Sequence, residues 1–371
     1  MRTSTPSLQA AVVTDPDEWP RLQRDWDDLY ARCATATPFQ SHAWLGSWWR
    51  QYGRAGDLSA LLVRRADRLV AALPLMRRRR WGYRVLVPIA TTHSDYTDIL
   101  LDEGAGEQVL DVVADSLARL PGWDAIDLPE VRPGSAADLL GESWAGRIWH
   151  VPASSCLSMA AMPLEEHVAR IGGRTAGKLR RSLRKIEALN VTATPVTADG
   201  VPAAIHELLR LHCLQWSGRG INKDHLRPQF RRHLVHAAKN LIPAGHAALT
   251  EFRVGGELVA SNFSLIGKDF AGGYLYGADP RLRTSIDVFA LVLGHCLRET
   301  TERGLATLSM LRGAEPHKAK WGAVVVDNHR LILGHNRRAA LYAAAASGRV
   351  GAAAMAKHRF PNLAEAVRFR L

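Results

Sequence analysis

Residues 247–333, AALTEFRVGGELVASNFSLIGKDFAGGYLYGADPRLRTSIDVFALVLGHCLRETTERGLATLSMLRGAEPHKAKWGAVVVDNHRLIL, decide the fold. They read strand, strand, strand, loop, long helix, strand, loop, strand. Ala247–Val254 turns at Gly255-Gly256 into Glu257–Ile266. Gly267-Lys268-Asp269 then turns the chain into Phe270–Ala278, which carries Tyr274 and Tyr276. Asp279-Pro280 ends that strand, because proline cannot donate to a central ladder. Arg281-Leu282-Arg283-Thr284-Ser285 leads into a helix predicted from Ile286 to about Arg303. Val288, Leu291, Val292, His295 and Cys296 share one face of it, and Gly304 stops it. Ala306–Leu311 reads as a buried strand, residues 312–318 break it, and Trp321–Val326 and His329–Leu333 close the unit.

A chain of 371 residues is long for one core, so two domains are expected. A hydrophobic fraction of 47% supports a well-buried globular protein. No run of about 18 apolar residues occurs, which argues against a membrane-spanning helix. Met1–Pro6 lacks the apolar region of a secretion signal. Cys33, Cys156, Cys213 and Cys296 are widely spread and form neither a metal pattern nor a disulfide framework. A cytoplasmic protein with reduced thiols and no metal is the expectation. The net charge of +12 attracts anions such as nucleic acid, acidic membrane or phosphorylated cofactors. Heavy arginine usage with no such partner gives the same balance.

Residues 1–14 read as a loose terminus. A helix over Trp19–Cys33 and a second over His42–Tyr52, capped by Ser41, come next. Trp44 and Trp48 lie one turn apart on the second, a spacing that suits core packing. Leu58–Val63 and Leu69–Met76 form a hairpin, and Arg77–Arg80 reads as a solvated loop. A strand, the polar stretch Thr91–Asp98, another strand, a helix over Gly104–Leu120 and a strand over Trp123–Leu128 complete residues 1–150. That order repeats the pattern of the later stretch. Residues 151–335 form the second half, and 336–371 an Ala-rich helical appendage broken at Gly348 and Pro361. Thr175–Leu189 is a basic amphipathic helix with an apolar stripe of Leu179, Leu183, Ile186 and Leu189. Arg174, Lys178, Arg180, Arg181, Arg184 and Lys185 crowd the rest. It seats a polyanion or an acidic membrane face, or it is a connecting helix whose charges sit in water.

Hairpins, a strand ending at a basic loop, a helix and a closing strand resemble the acyl-CoA-dependent N-acetyltransferase (GNAT) fold. Tyr274-x-Tyr276-Gly277-x-Asp279-Pro280, followed by Leu311-Arg312-Gly313-x-Glu315-x-His317-Lys318-x-x-Trp321-Gly322, is similar to the CelD/BcsL-type acetyltransferases, cousins of the FemAB peptidyl transferases. Pro38-Phe39-Gln40-Ser41, Ser94-Asp95-Tyr96-x-Asp98 and His212-x-x-x-Trp216-x-x-Arg219-Gly220 agree in order. The resemblance covers roughly residues 15–335 and implies an α+β protein of tandem GNAT-like halves, each a mixed, largely antiparallel sheet flanked by helices. It implies an N-acyltransferase that takes an acyl group from acetyl-CoA, another acyl-CoA or an acyl carrier protein and delivers it to an amine.

Such a reaction needs a grip on the carrier's phosphates, polarisation of the carbonyl oxygen and a path for the proton. The family's phosphate loop falls on Arg281, Arg283, Thr284, Ser285 and Ile286, where backbone N–H groups at a helix start and two guanidiniums bind a pyrophosphate. That loop usually carries glycines; here it has none, and Cβ atoms hinder close approach. Thr284 or Ser285 also serves as an ordinary N-cap. The family's proton donor is a tyrosine in Glu-x-Tyr-Lys, and His317 replaces it. An imidazole titrates in the range that suits acid–base work at neutral pH; packing beside Trp321 is the plainer role. Arg312, Glu315 and Lys318 read as a substrate-orienting cluster. Tyr274 and Tyr276 border the expected carbonyl site. His212, Trp216 and Arg219 share a helix face that suits an acceptor wall, with His212 and Asp95 as further candidates for proton transfer. Clefts between domains favour ligands, and Asp95 and Asp98 are candidates to face one. Two other classes stay open: an aminoacyl-tRNA-dependent transferase of the FemAB kind, and a non-catalytic module binding an anionic polymer.

Overall fold

A computed structural model describes residues 7–106, 108–218, 220–313 and 315–359. They divide into two compact units, 7–154 with 327–359, and 155–326. The sequence boundaries at 150 and 335 fall near these divisions, but the chain after 327 returns to the first unit instead of standing apart.

The first unit begins with strand β1 (Leu8–Val13), where a loose terminus was expected. It pairs antiparallel with β2 (Leu58–Arg65), and that pairing supplies the order. A 3-10 turn over Pro16–Leu22 precedes helix α1 (Gln23–Arg32), because Pro20 interrupts the expected single helix. Helix α2 (His42–Tyr52) is capped by Ser41, whose oxygen accepts from the Trp44 N–H. Strand β3 (Arg68–Arg80) runs through all four arginines, not a loop. Trp81 and Gly82 both have positive φ, the two-residue turn that matches strand twist, so β4 (Tyr83–Pro88) folds straight back. Short strand β5 (Leu100–Leu101), helix α3 (Gln108–Arg119), strand β6 (Ala125–Val131) and helix α4 (Ala136–Leu139) follow. β4 and β6 pair in parallel. Val109, Val113 and Leu117 of α3 cover Leu73, Leu86 and Ile126 of the sheet.

Strand β7 (Arg147–Ala160) carries the chain into the second unit, whose sheet its residues 155–160 join. Helix α5 (Leu164–Ile171) breaks at Gly172 and Gly173, both with positive φ, before helix α6 (Gly173–Glu187). Strand β8 (Thr192–Pro195), helix α7 (Val201–Trp216) and helix α8 (Pro228–Leu241) lead to strands β9 (Ala247–Val254), β10 (Glu257–Ile266) and β11 (Phe270–Ala278). Helix α9 (Val288–Glu302), strand β12 (Thr307–Arg312) and helix α10 (Pro316–Ala319) complete it. The strand order is β7-β12-β11-β10-β9-β8, parallel only at β11 and β12. Leu291 and Leu297 of α9, with Leu179 of α6, bury themselves against Phe252 and Leu308.

One strand, β13 (Val324–Gly334), replaces the expected pair. Trp321 lies in the turn before it and is fully buried, its carbonyl accepting from His167. Residues 327–334 of β13 close the first sheet beside β6. Helix α11 (Arg337–Arg359) passes through Gly348 without a break. Its Tyr342 is buried against Asp127 of β6. Each half is therefore a mixed, largely antiparallel sheet with helices, and the second presents its helix α9 between β11 and β12.

Candidate active site

The second unit opens where β11 and β12 part. Their parallel ladder ends at Gly272 opposite Ser309, while β11 runs on to Ala278. The divergence is built into side chains. A Cβ on Gly272 would lie 2.9 Å from the Leu311 side chain, so only glycine admits that neighbour. Leu311 takes φ +52°, and β12 shifts register between Ser309 and Arg312, so the strand turns away. On the other side α7 presses onto β11. A Cβ on Gly277 would stand 2.3 Å from the His212 nitrogen and 2.6 Å from the Leu208 carbonyl.

Three aromatic rings line the rim. Phe289, in the first turn of α9, stands 4.6 Å from the His317 ring, edge on, and 6.4 Å from Tyr276. His317 is exposed on its outer side. Partial burial lowers its pKa, Glu315 and Asp287 oppose the shift, and Lys318 and Lys320 reinforce it. The imidazole is thus neutral near pH 7. Burial raises the Tyr276 phenol, while the adjacent Gln215 amide and Arg283 pull the other way. Tyr274 sits further up β11 with its ring against Phe263.

His212 follows a different logic. Its Nδ1 lies 2.8 Å from the Tyr276 carbonyl, which only accepts, so Nδ1 carries the proton. Burial lowers its pKa, leaving a neutral ring whose Nε2 accepts from His225 Nδ1 at 3.2 Å. Both nitrogens of His212 are therefore engaged in holding β11 and the 3-10 turn over Lys223–Leu226. His225 stacks on Phe230 at 4.5 Å. Trp216 packs by His212 at 6.3 Å. Arg219 lies outside the described residues.

The expected phosphate loop has a different shape. A 3-10 turn spans Pro280–Thr284, and the amides of Ser285 and Ile286 both donate to the Leu282 carbonyl. Thr284 Oγ1 donates to the Arg281 carbonyl, and Ile286 is buried in the core. Arg281 is committed to Asp279 at 2.6 Å and to Glu257. Arg283 donates to the Gln215 carbonyl at the end of α7. The helix does not start at Ile286: Asp287 caps it, accepting from the Ala290 amide, because a short carboxylate one residue before the helix satisfies an orphan N–H. Asp287 also pairs with Lys320. A carboxylate therefore stands at the helix N-terminus where an anionic ligand was expected.

Lys318 braces the loop behind His317. Its Nζ donates to the Met310, Arg312 and Gly313 carbonyls and pairs with Glu315 at 2.9 Å. The trio Arg312, Glu315 and Lys318 thus shapes the turn that displays His317. Sequence reading missed Asp287, Phe289, Lys320 and His225. An aspartate directly before an apolar helical run was the available signal for the first.

Asp95 belongs to the first unit, buried, with its carbonyl facing Asn328 at 3.4 Å. Asp98 is buried there too, accepting from Thr35 and from the Ile99 and Ala137 amides. Burial raises its pKa and these hydrogen bonds oppose the rise. The motif around Phe39, Trp44, Trp48 and Tyr96 collects beside it: Gln40 donates to the Tyr96 carbonyl, Trp44 to Ser94 and Trp48 to His93. These residues build a hydrogen-bonded core.

The basic face of α6 stays open. Arg174, Lys178, Arg180, Arg181, Arg184 and Lys185 are all exposed, while Ala176 and Leu179 are buried. No helix among the described residues is long and apolar enough to cross a membrane.

Residues 173–319 match the model of the acetyltransferase (GNAT) domain, a segment holding α6 through α10 and every rim residue named above. Among solved structures, FemX is similar over 87% of this chain and 96% of its own, at 9% identity and a TM-score of 0.59. L-PGS from Bacillus licheniformis is similar over 90% of this chain and 96% of its own, at 11% identity and a TM-score of 0.56. A conserved protein of unknown function from Bacteroides thetaiotaomicron covers 88% of this chain and 99% of its own, at 15% identity and a TM-score of 0.55. These structures share the fold over most of the chain, and the domain match marks residues 173–319 as GNAT-like. No curated protein matches the chain.

Proposed function

We propose that residues 155–326 form an N-acyltransferase that moves an acyl group from a thioester carrier, an acyl-CoA or an acyl carrier protein, to an amine. The observation that carries this reading is the opening between β11 and β12, rimmed by Tyr276 and His317 inside the segment that matches the GNAT domain. In this reading the thioester carbonyl lies against β11, whose backbone N–H takes the developing oxyanion. The amine nitrogen bonds to the carbonyl carbon and the carbon–sulfur bond breaks. Neutral His317 accepts the proton the amine loses and passes it to the departing thiolate. Tyr276, held protonated by burial, offers a hydrogen bond to the reacting group. Trp216 walls the acceptor. Arg281 and Arg283 reach carrier phosphates only by exchanging Asp279 and Gln215 for them. The cytoplasm, where such carriers are found, is the expected location.

A second donor has its own support. Asp287 at the start of α9 repels a pyrophosphate, and the open basic face of α6 suits a polyanion, so an aminoacyl-tRNA ester is the rival carrier. Purified protein incubated with acetyl-CoA and a panel of amines, followed by thiol release and product mass, tests the first reading. Aminoacyl-tRNA in the same assay tests the second. Reversing Lys178, Arg181 and Lys185 to Glu should abolish salt-sensitive tRNA retention only under the second. Retention of a polyanion with neither transfer would leave a binding module.

A further inference from the structure

Cysteine spacing offers no metal ligands, yet the first unit assembles a set from other side chains. Asp138 lies in the short helix α4, His150 in β7 and His329 in β13. One ligand atom from each, two imidazole nitrogens and a carboxylate oxygen, lies within 4.8 Å of the others. Asp138 Oδ1 stands 3.1 Å from His329 Nε2. Ligands about 2.0–2.2 Å from a tetrahedral ion sit roughly 3.3–3.6 Å apart, so that edge needs to open by only a few tenths of an ångström to reach coordination spacing. The two imidazole rings are 5.1 Å apart.

The carboxylate is oriented from behind. Its Oδ2 accepts from the Gly134 amide at 2.8 Å, which leaves Oδ1 turned to the histidines. His329 and Asp138 are half-covered, and His150 faces solvent, which gives an ion a path in. Two imidazoles with one carboxylate suit a borderline first-row divalent cation.

We propose that Asp138, His150 and His329 bind a single Zn2+, with water completing the shell. The ion joins α4 and β7 to β13, the strand that the chain supplies last, and so clamps the closing strand of the first unit. The site takes no part in acyl transfer.

The test uses untagged, full-length protein stripped with chelator. ZnCl2 is added, free metal is removed by desalting, and bound zinc is counted by elemental mass spectrometry. Calorimetry supplies the Kd, and Co2+ substitution reports coordination through its visible absorption. The wild type should retain one zinc per chain and give an intense tetrahedral Co2+ spectrum. His150→Ala, whose side chain is exposed, and Asp138→Asn, which keeps the Gly134 contact, should each weaken binding at least tenfold, the scale reached by outer-sphere groups alone. Both variants should lose the thermal shift that Zn2+ gives the wild type. A wild type that retains no zinc, or zinc unchanged in both variants, overturns the proposal and leaves only a His329–Asp138 ion pair.

Discussion

The Phe289 ring meets the His317 ring edge on at 4.6 Å, which fixes the imidazole at the rim and covers one side of it. Partial burial lowers its pKa. His317→Ala should therefore reduce turnover by about 10²–10⁴ with little change in carrier affinity. Since the neutral ring accepts the amine proton, the rate should fall as pH drops through a midpoint below about 6.5, and this limb should vanish in the variant. A loss under about fivefold, with the profile unmoved, would return the proton path to water or to Tyr276.

Asp287→Asn keeps a side-chain oxygen for the Ala290 amide and removes the negative charge, leaving Lys320 unopposed. If carrier phosphates approach the start of α9, affinity for coenzyme A should rise by about two- to fivefold, the size of a helix-terminus charge effect. Calorimetry reads this directly. An unchanged Kd would mean that phosphates dock elsewhere.

Gly277→Ala forces a methyl into the α7 backbone, which has no flexible end to move aside. The expected loss is about 1–3 kcal/mol in urea unfolding. Chemical shifts around His212 and Tyr276 should move with it, since α7 must back off β11. A fully stable variant would show that the helix slides freely.

Asp127 is fully buried and shared by Arg80, Arg330 and the Tyr342 hydroxyl. Burial pushes its carboxyl up, but the Arg330 hydrogen bonds and charge, helped by Arg80, hold it below the usual range. Tyr342 is pushed up to about 12 by burial and the same carboxylate. Asp127→Ala strands these partners and should cost about 3–5 kcal/mol. A loss under about 1 kcal/mol would mean the guanidiniums regain water easily.

What the sequence revealed was local. Gly255 and Gly256 both take positive φ, so the turn between β9 and β10 was readable from two letters. The apolar spacing of α9 gave the helix but not its first residue, because Thr284, Ser285 and Asp287 all have capping chemistry. Tertiary contact chose Asp287, tied to Lys320. The fate of Arg281 rested on Glu257, which a β-hairpin brings near and the order of letters does not. Likewise, Lys318 looked like a substrate group until the β12 carbonyls folded around it. The expected gap at Asp327-Asn328 divided β13 in two, whereas one continuous strand runs through both residues. Arg78 and Arg80 of β3 read as solvated because Asp57 and Asp127, their partners, are distant in the chain.

The closing strand of the first sheet has a consequence for birth on the ribosome. Residues 155–160, which edge β12, are synthesised before the rest of their sheet. β6 instead waits for His329 and its neighbours, roughly 200 residues and on the order of 10–40 s later at ordinary translation rates. During that interval the β6 ladder groups are open to any extended strand, a hazard that burial ends only when the last segment arrives. The half made first is thus the half finished last.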